Sequence, residues 1–201
     1  MTKAPRFTNG ELARKALHIS FGTVLLLTLH LQVFEYWHYL VLLVAGLTLS
    51  LTIKFLEGFP QIAKLIAPFD KDDYLPAQGM VYFYCTFVLL LTLTRWMELP
   101  DRFIMHPVLM LTLADPASFF IGKGWGKRPL PVNRRKTVEG TLAGMLVASV
   151  AGLLFVSPFA AVLIGSLAMM MDVVDLKIGN LEIDDNLLIP LAAFILLLST
   201  V

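Results

Sequence analysis

The side chains of this chain that can do chemistry are ionisable groups set inside or at the ends of apolar segments. Asp115 falls within an apolar run and is followed directly by Pro116. Glu139 opens the next run, Asp172 and Asp175 close another three residues apart, and Asp184, Asp185 and Asn186 lead into the last. Arg14, Lys15 and His18 open the first, His18 one helical turn from Arg14 and so on the same face. Ionisable groups within apolar spans are expensive and as a rule line a functional cavity. Carboxylates at such depth need cations or a metal to offset their lost hydration. One shared polar site would satisfy most of this set. A carboxylate beside backbone carbonyls suits Mg²⁺, which takes oxygen ligands and brings phosphates with it.

The stretch DPASFFIGKGWGKRPLPVNRRKTVEG, residues 115–140, concentrates the remaining chemistry. Proline disfavours α geometry at the residue before it and removes a backbone donor, so the fourth segment is expected to break at Asp115-Pro116. Irregular backbone at membrane depth is tolerated where it lines a cavity. Gly122, Gly124 and Gly126 would let a loop backbone approach a ligand closely. Their spacing fits neither a dinucleotide fingerprint nor a phosphate-binding P-loop. Lys123, Lys127, Arg128, Arg134, Arg135 and Lys136 supply positive charge, and Thr137 is a natural N-cap for the segment that follows. A helix N-terminus with adjoining cations is a phosphate site. Glu139 suits the first turn of that helix and can also help hold a metal. Ordinary membrane-topology charge would account for the basic residues alone. The deep aspartate, the glycines and the capped helix together point to a nucleotide or polyphosphate.

The elements that must position these groups are membrane spans. The 201 residues are 57% hydrophobic and 15% charged, with mean hydropathy +0.75, against ~25% charged for a soluble domain. Seven apolar segments begin near residues 12, 37, 80, 103, 138, 159 and 186, giving one all-α polytopic domain over 1–201 with about seven transmembrane helices. With seven spans, 14 of the 16 basic residues face one side and only Arg95 and Arg102 the other. The positive-inside rule then makes this a multi-pass membrane protein with N-terminus and site cytosolic and C-terminus outside. Trp37, Trp96 and Trp125 sit at span ends, where indole rings anchor. Between spans two and three, Phe59, Ile62, Leu65 and Ile66 recur at helical spacing and suggest an interfacial amphipathic helix. The net charge of +1 gives no sign of a nucleic-acid partner, and the single Cys85 permits no intrachain disulfide. No cleavable signal peptide, internal repeat or low-complexity tract is evident. His30, His38 and His106 lack zinc spacing and read as interface or packing residues.

With these residues in view, the chain resembles the CTP-dependent lipid-alcohol kinases: dolichol kinase, phytol kinase and CTP-dependent diacylglycerol kinase. The resemblance is carried by Asp115, Ala117, Gly122, Gly126, Lys136, Thr137, Glu139 and Gly140. Arg14-Lys15-x-x-His18, Gly79-x-x-Tyr82 and Asp185-Asn186-x-x-Ile189-Pro190 add to it, in order along nearly the whole chain. The Asp…Lys-Thr-x-Glu-Gly core is shared with phosphatidate cytidylyltransferases, whose carboxy-terminal Gly-Gly-x-x-Asp-Arg-x-Asp signature is replaced here by IDDN. The resemblance implies transfer of the γ-phosphate of CTP to the hydroxyl of a membrane lipid alcohol. Mg²⁺ would be held by Asp115 with Asp172, Asp175 or Asp185, beside the Glu139 already named as a metal candidate. Lys136, Arg134 and Arg135 would neutralise the triphosphate, with Lys123, Lys127, Arg128, Thr137 and Gly140 around it. Asp172 or Asp185 would orient the acceptor hydroxyl, and Arg14, Lys15, His18 and Asn186 would contact substrate. The expected partners are CTP, the lipid and the bilayer; a homodimer is compatible with this reading. Two alternatives remain at this point: a cytidylyltransferase making a CDP-lipid, and an anion transporter. Charges gathered at one membrane side weigh against the transporter.

Overall fold

The computed structural model describes residues 7–56, 61, 78–174, 176–178 and 181–200. Asp175 and the amphipathic segment containing Phe59, Ile62, Leu65 and Ile66 fall outside these. Among the described residues the chain forms seven helices: α1 (Asn9–His30), α2 (Tyr36–Phe55), α3 (Gln78–Trp96), α4 (Arg102–Trp125), α5 (Val138–Gly152), α6 (Pro158–Met170) and α7 (Asp185–Leu198). A two-stranded antiparallel hairpin, β1 (Lys177–Ile178) with β2 (Leu181–Glu182), precedes α7. The all-helical expectation holds, and each helix starts within a few residues of its expected apolar run. The first four helices are long and apolar enough to cross a membrane. The last three have 15, 13 and 14 residues. At 1.5 Å per residue they reach only about 20–22 Å, short of the ~30 Å hydrocarbon core.

Local chemistry sets the helix starts. Thr8 and Glu11 form a reciprocal capping box on α1. Thr137 caps α5 by accepting from the Gly140 N–H at 3.2 Å, as its place before an apolar run leads one to expect. Ser157 caps α6, with Pro158 at the first helical position, and Asp184 caps α7.

The central helix is α4, which lies against α1, α3, α5 and α7. Phe103, Ile104, Met110, Leu111 and Ala114 on it are fully or almost fully buried. By contrast α2 sits at the periphery, tied to the bundle by Tyr36 to Thr92 (3.0 Å) and by the Tyr84 hydroxyl donating to the Tyr39 carbonyl (3.0 Å). The contact of α4 with α5 is the most extensive and rests on small residues. Gly140, Gly144, Ala148 and Gly152 recur every fourth residue and are all buried. A ridge of this kind lets two helix backbones approach, and dispersion contacts then hold them. A Cβ on Gly140 would stand 2.7 Å from the Ser118 carbonyl oxygen and 2.8 Å from Gly122 Cα. Those are backbone atoms and cannot step aside. Gly140→Ala is therefore expected to cost about 1–3 kcal/mol of stability, as overpacking does. Gly46, with open space around it, is the control, and Gly46→Ala should leave the unfolding temperature unchanged or slightly raised. Tryptophan-fluorescence melts of the two variants in detergent would compare them.

The expected break at Asp115-Pro116 does not occur. Helix α4 runs unbroken from Arg102 to Trp125 with Pro107 and Pro116 inside it. Packing against α1, α3, α5 and α7 keeps it helical through the lost donor. The carbonyl freed by Pro116 is that of Thr112; on the neighbouring turns the Thr112 hydroxyl donates to the Val108 carbonyl (2.7 Å) and His18 Nε2 engages the Leu111 carbonyl at 3.1 Å. A second correction follows. Gly122 and Gly124 belong to the last turn of α4, and Gly126 caps it, so there is no open glycine loop. Gly122 sits against Gly140, and a Cβ on Gly126 would overlap the Thr137 side chain, 2.7 Å from its Cγ2. Gly122 serves the crossing of α4 with α5, Gly124 packs on Phe7 and Gly126 on Thr137.

Candidate active site at one end of the bundle

Successive helices reverse direction, so one end of the bundle gathers the starts of α1, α3, α5 and α7 and the ends of α4 and α6. A cavity of about 880 Å³ opens there. Its lining carries five acids (Glu11, Asp115, Asp172, Asp184, Asp185) and five bases (Arg14, Lys15, Lys123, Arg135, Lys136).

Three elements deliver the central carboxylates. Asp115, on α4, is 4% exposed; Asp172, in the turn after α6, is 4% exposed; Asp185 begins α7. One carboxylate oxygen from each lies within 4.8 Å of the others. Two lysines are threaded among them. Lys15 Nζ is 2.5 Å from Asp115 Oδ2, and Lys136 Nζ is 2.5 Å from Asp172 Oδ1 and 3.9 Å from Asp185 Oδ2. The expected convergence of Asp115 with Lys136 thus exists, but each has a nearer partner.

The approach of α1 to α4 explains the first pair. Gly22 faces Thr112, where a Cβ would come within 2.8 Å of Cγ2, so the helices lie close enough for Lys15 and His18 to reach Asp115. A carbonyl oxygen only accepts, so the bond to Leu111 requires the His18 proton on Nε2, the nitrogen 3.8 Å from Asp115 Oδ2. The His18 ring also packs edge-on against Phe83. At the end of α4, Lys123 pairs with Glu11 on α1 and ties the two helices at the cavity rim.

The segment from 126 to 137 is an ordered strap. Pro129 and Thr137 form an antiparallel bridge; the Leu130 N–H donates to the Lys136 carbonyl and the Val138 N–H to the Arg128 carbonyl. Asn133, buried at the tip, accepts from the Arg135 N–H at 3.0 Å through its side chain and from the Lys136 N–H through its carbonyl, and donates to the Val173 carbonyl at 3.3 Å. This holds the strap against the turn bearing Asp172 and aims Lys136 into the cavity. Burial disfavours the Lys136 ammonium, but Asp172 and Asp185 more than offset this and hold it above the usual lysine value. Burial, then the neighbouring Asp185, push the Asp184 carboxyl up to about 7.

The sequence-selected residues therefore divide. Asp115, Asp172, Asp185, Arg14, Lys15, His18, Gly122, Lys123, Arg135, Lys136, Thr137, Gly140 and Asn186 all line the cavity. Glu139 does not join the three aspartates. Its Oε2 accepts from the N–H groups of Lys127 (3.1 Å) and Arg128 (3.2 Å), and so it pins the base of the strap. Lys127, Arg128 and Arg134 are exposed and outside the cavity lining; Gly124, buried against Phe7, and half-buried Gly126 also lie outside it. Glu11, Ser118 and Asn133 were among the residues not anticipated. Ser118 donates to Asp172 Oδ2 at 3.2 Å, and Asn133 shapes the strap. Ser118 is legible in retrospect, being the polar residue three beyond Asp115 on the same helix face.

Arg95 lies at the opposite end, pairing with Asp101 at 3.1 Å with half its side chain exposed. An exposed pair of this kind contributes about 0–1 kcal/mol. Arg95→Ala should leave catalytic turnover within roughly twofold of the parent, assayed with the same preparation.

Fold and site together define a polytopic helical protein, four of its helices long and apolar enough to cross a membrane, with a charged cavity at one end of its bundle. The chain matches the model of the Cytidylyltransferase family over residues 2–200, nearly its whole length, and belongs to that family. Neither a curated protein nor a solved structure matches it.

Proposed function

We propose that this member of the family is a CTP-dependent kinase that transfers the γ-phosphate of CTP to the hydroxyl of a membrane lipid alcohol of the polyprenol, phytol or diacylglycerol type. The observation that carries the reading is the convergence of Asp115, Asp172 and Asp185 with Lys15 and Lys136 in one cavity. Three carboxylate oxygens from three elements match the oxygen-only preference of Mg²⁺, so these aspartates would hold it. When bound, the ion supplies charge neutralisation for the phosphates.

The chain's own residues do the rest. Lys136 and Arg135 take the triphosphate, with the capped N-terminus of α5 behind them. Ser118 fixes one Asp172 oxygen and leaves the other turned to Lys136. Asp172 or Asp185 orients the acceptor hydroxyl. Phosphoryl transfer asks little covalent chemistry of the protein; positioning and charge stabilisation carry it. The helices α1 and α2, apolar and largely exposed in the bundle, face acyl chains, and the cavity end faces the cytosol by the distribution of basic residues.

The family match favours a second reading, transfer of CMP to a lipid phosphate. CTP labelled at the γ- or the α-phosphate, incubated with protein and membrane lipid, separates the two. γ-Label in the lipid supports the kinase. α-Label in the lipid, with pyrophosphate released, overturns it in favour of the cytidylyltransferase.

A further inference from the structure

Resting on the metal and polyphosphate reading above, we propose that Lys15 and Lys136 are exchangeable counter-ions. They hold the aspartates when the site is empty and pass to the phosphates on loading, so that divalent metal and nucleotide enter as a unit.

The geometry is specific. Each lysine ammonium stands 2.5 Å from an oxygen of one of the three grouped aspartates, Lys15 on Asp115 and Lys136 on Asp172. A Mg²⁺ ion bonds oxygen at about 2.0–2.1 Å. An ion on these same carboxylates would therefore sit beside two ammonium groups, and like charges so placed repel strongly in a poorly hydrated site. The metal must displace the lysines. Both are partly exposed, at 20% and 30%, whereas the Asp115 and Asp172 side chains are 6% and 0% exposed. The lysines can swing; the aspartates cannot. A displaced ammonium then needs a new anion in the same cavity.

The pairing points the same way. Lys15 and Lys136 are each already engaged by a grouped aspartate. A lone divalent ion leaves two lysines without partners. A lone polyphosphate meets carboxylates whose lysines are already engaged. Metal and polyphosphate together re-pair the three grouped aspartates and the two lysines, aspartates to metal and lysines to phosphate. Lys15 thereby becomes a second phosphate-positioning cation, brought from α1, where it now reads as the partner of a buried aspartate.

The test is binding, not turnover. Free Mn²⁺, followed by electron paramagnetic resonance, is titrated into the purified full chain in detergent without nucleotide. The parent should bind weakly. Lys15→Met and Lys136→Met should each bind Mn²⁺ at least tenfold more tightly, while their affinity for β,γ-methylene-CTP with Mn²⁺ falls tenfold or more. Lys15→Arg, which keeps the charge, should restore weak binding of the free ion, and a thermal melt of each variant confirms a folded sample. Parent protein that binds free Mn²⁺ as tightly as Lys15→Met overturns the counter-ion role while leaving the metal site standing. Absence of Mn²⁺ binding by every variant, with and without nucleotide, overturns the metal site itself and this inference with it.

Discussion

Replacing Asp115 by asparagine is expected to lower CTP turnover by roughly 10²- to 10³-fold, the usual cost of removing one preorganised electrostatic group from a transition state. The substitution preserves shape and removes charge. Asp115 is 4% exposed and sits where α1 and α4 meet the other two aspartates. Turnover of the variant should also depend less steeply on Mg²⁺ concentration, because one of three oxygen donors has lost its charge. Lys15 loses its partner but is one-fifth exposed and can turn toward the cavity, so the fold should survive. The check is a Mg²⁺ titration of CTP turnover on protein that elutes as the parent does. Undiminished turnover would remove the metal site from Asp115.

Lys136→Ala carries an effect of similar size for a different reason. Its ammonium reaches Asp172 at 2.5 Å and Asp185 at 3.9 Å, and it is the one strap cation held between two of the grouped carboxylates. Removing it leaves Asp172 with Ser118 as its remaining hydrogen-bond partner among those described, and takes a positive charge from the phosphate path. A fall of roughly 10²-fold or more in kcat/KM for CTP is expected, with the strap intact, since Asn133 bonds the backbone N–H of residue 136 and not its side chain. Arg134→Ala is the matched control: exposed and outside the cavity, it should change kcat/KM by roughly twofold at most, as a solvent-screened charge does. Equal losses in the two variants would mean that diffuse basic charge matters and the placement of Lys136 does not.

Much of the architecture was readable without coordinates because it obeys local rules. Apolar runs locate helices, since a backbone surrounded by lipid must satisfy its own hydrogen bonds. Thr137 before an apolar run locates the start of α5, because a side-chain oxygen there meets orphan N–H groups. Alternation of seven helices brings Asp115, Lys136, Asp172 and Asp185 to one end of the bundle whatever the packing details.

What the coordinates decided was who pairs with whom. Lys15 and Asp115 are 100 residues apart and Lys136 and Asp172 are 36 apart, and no periodicity encodes such contacts. Glu139 shares a motif with Lys136 yet turns the other way, to backbone N–H groups of the strap. Glycine and proline misled for one physical reason. Their intrinsic preferences, worth about 1 and about 3 kcal/mol in a helix, predict a break at Pro116 and a loop at Gly122. Close crossing of α4 with α5 outweighs both, and that crossing exists only because Gly122 and Gly140 have no side chains to keep it apart. Local chemistry therefore settled which helices form and which end of the bundle is charged, while contacts between elements distant in sequence settled where each charge points.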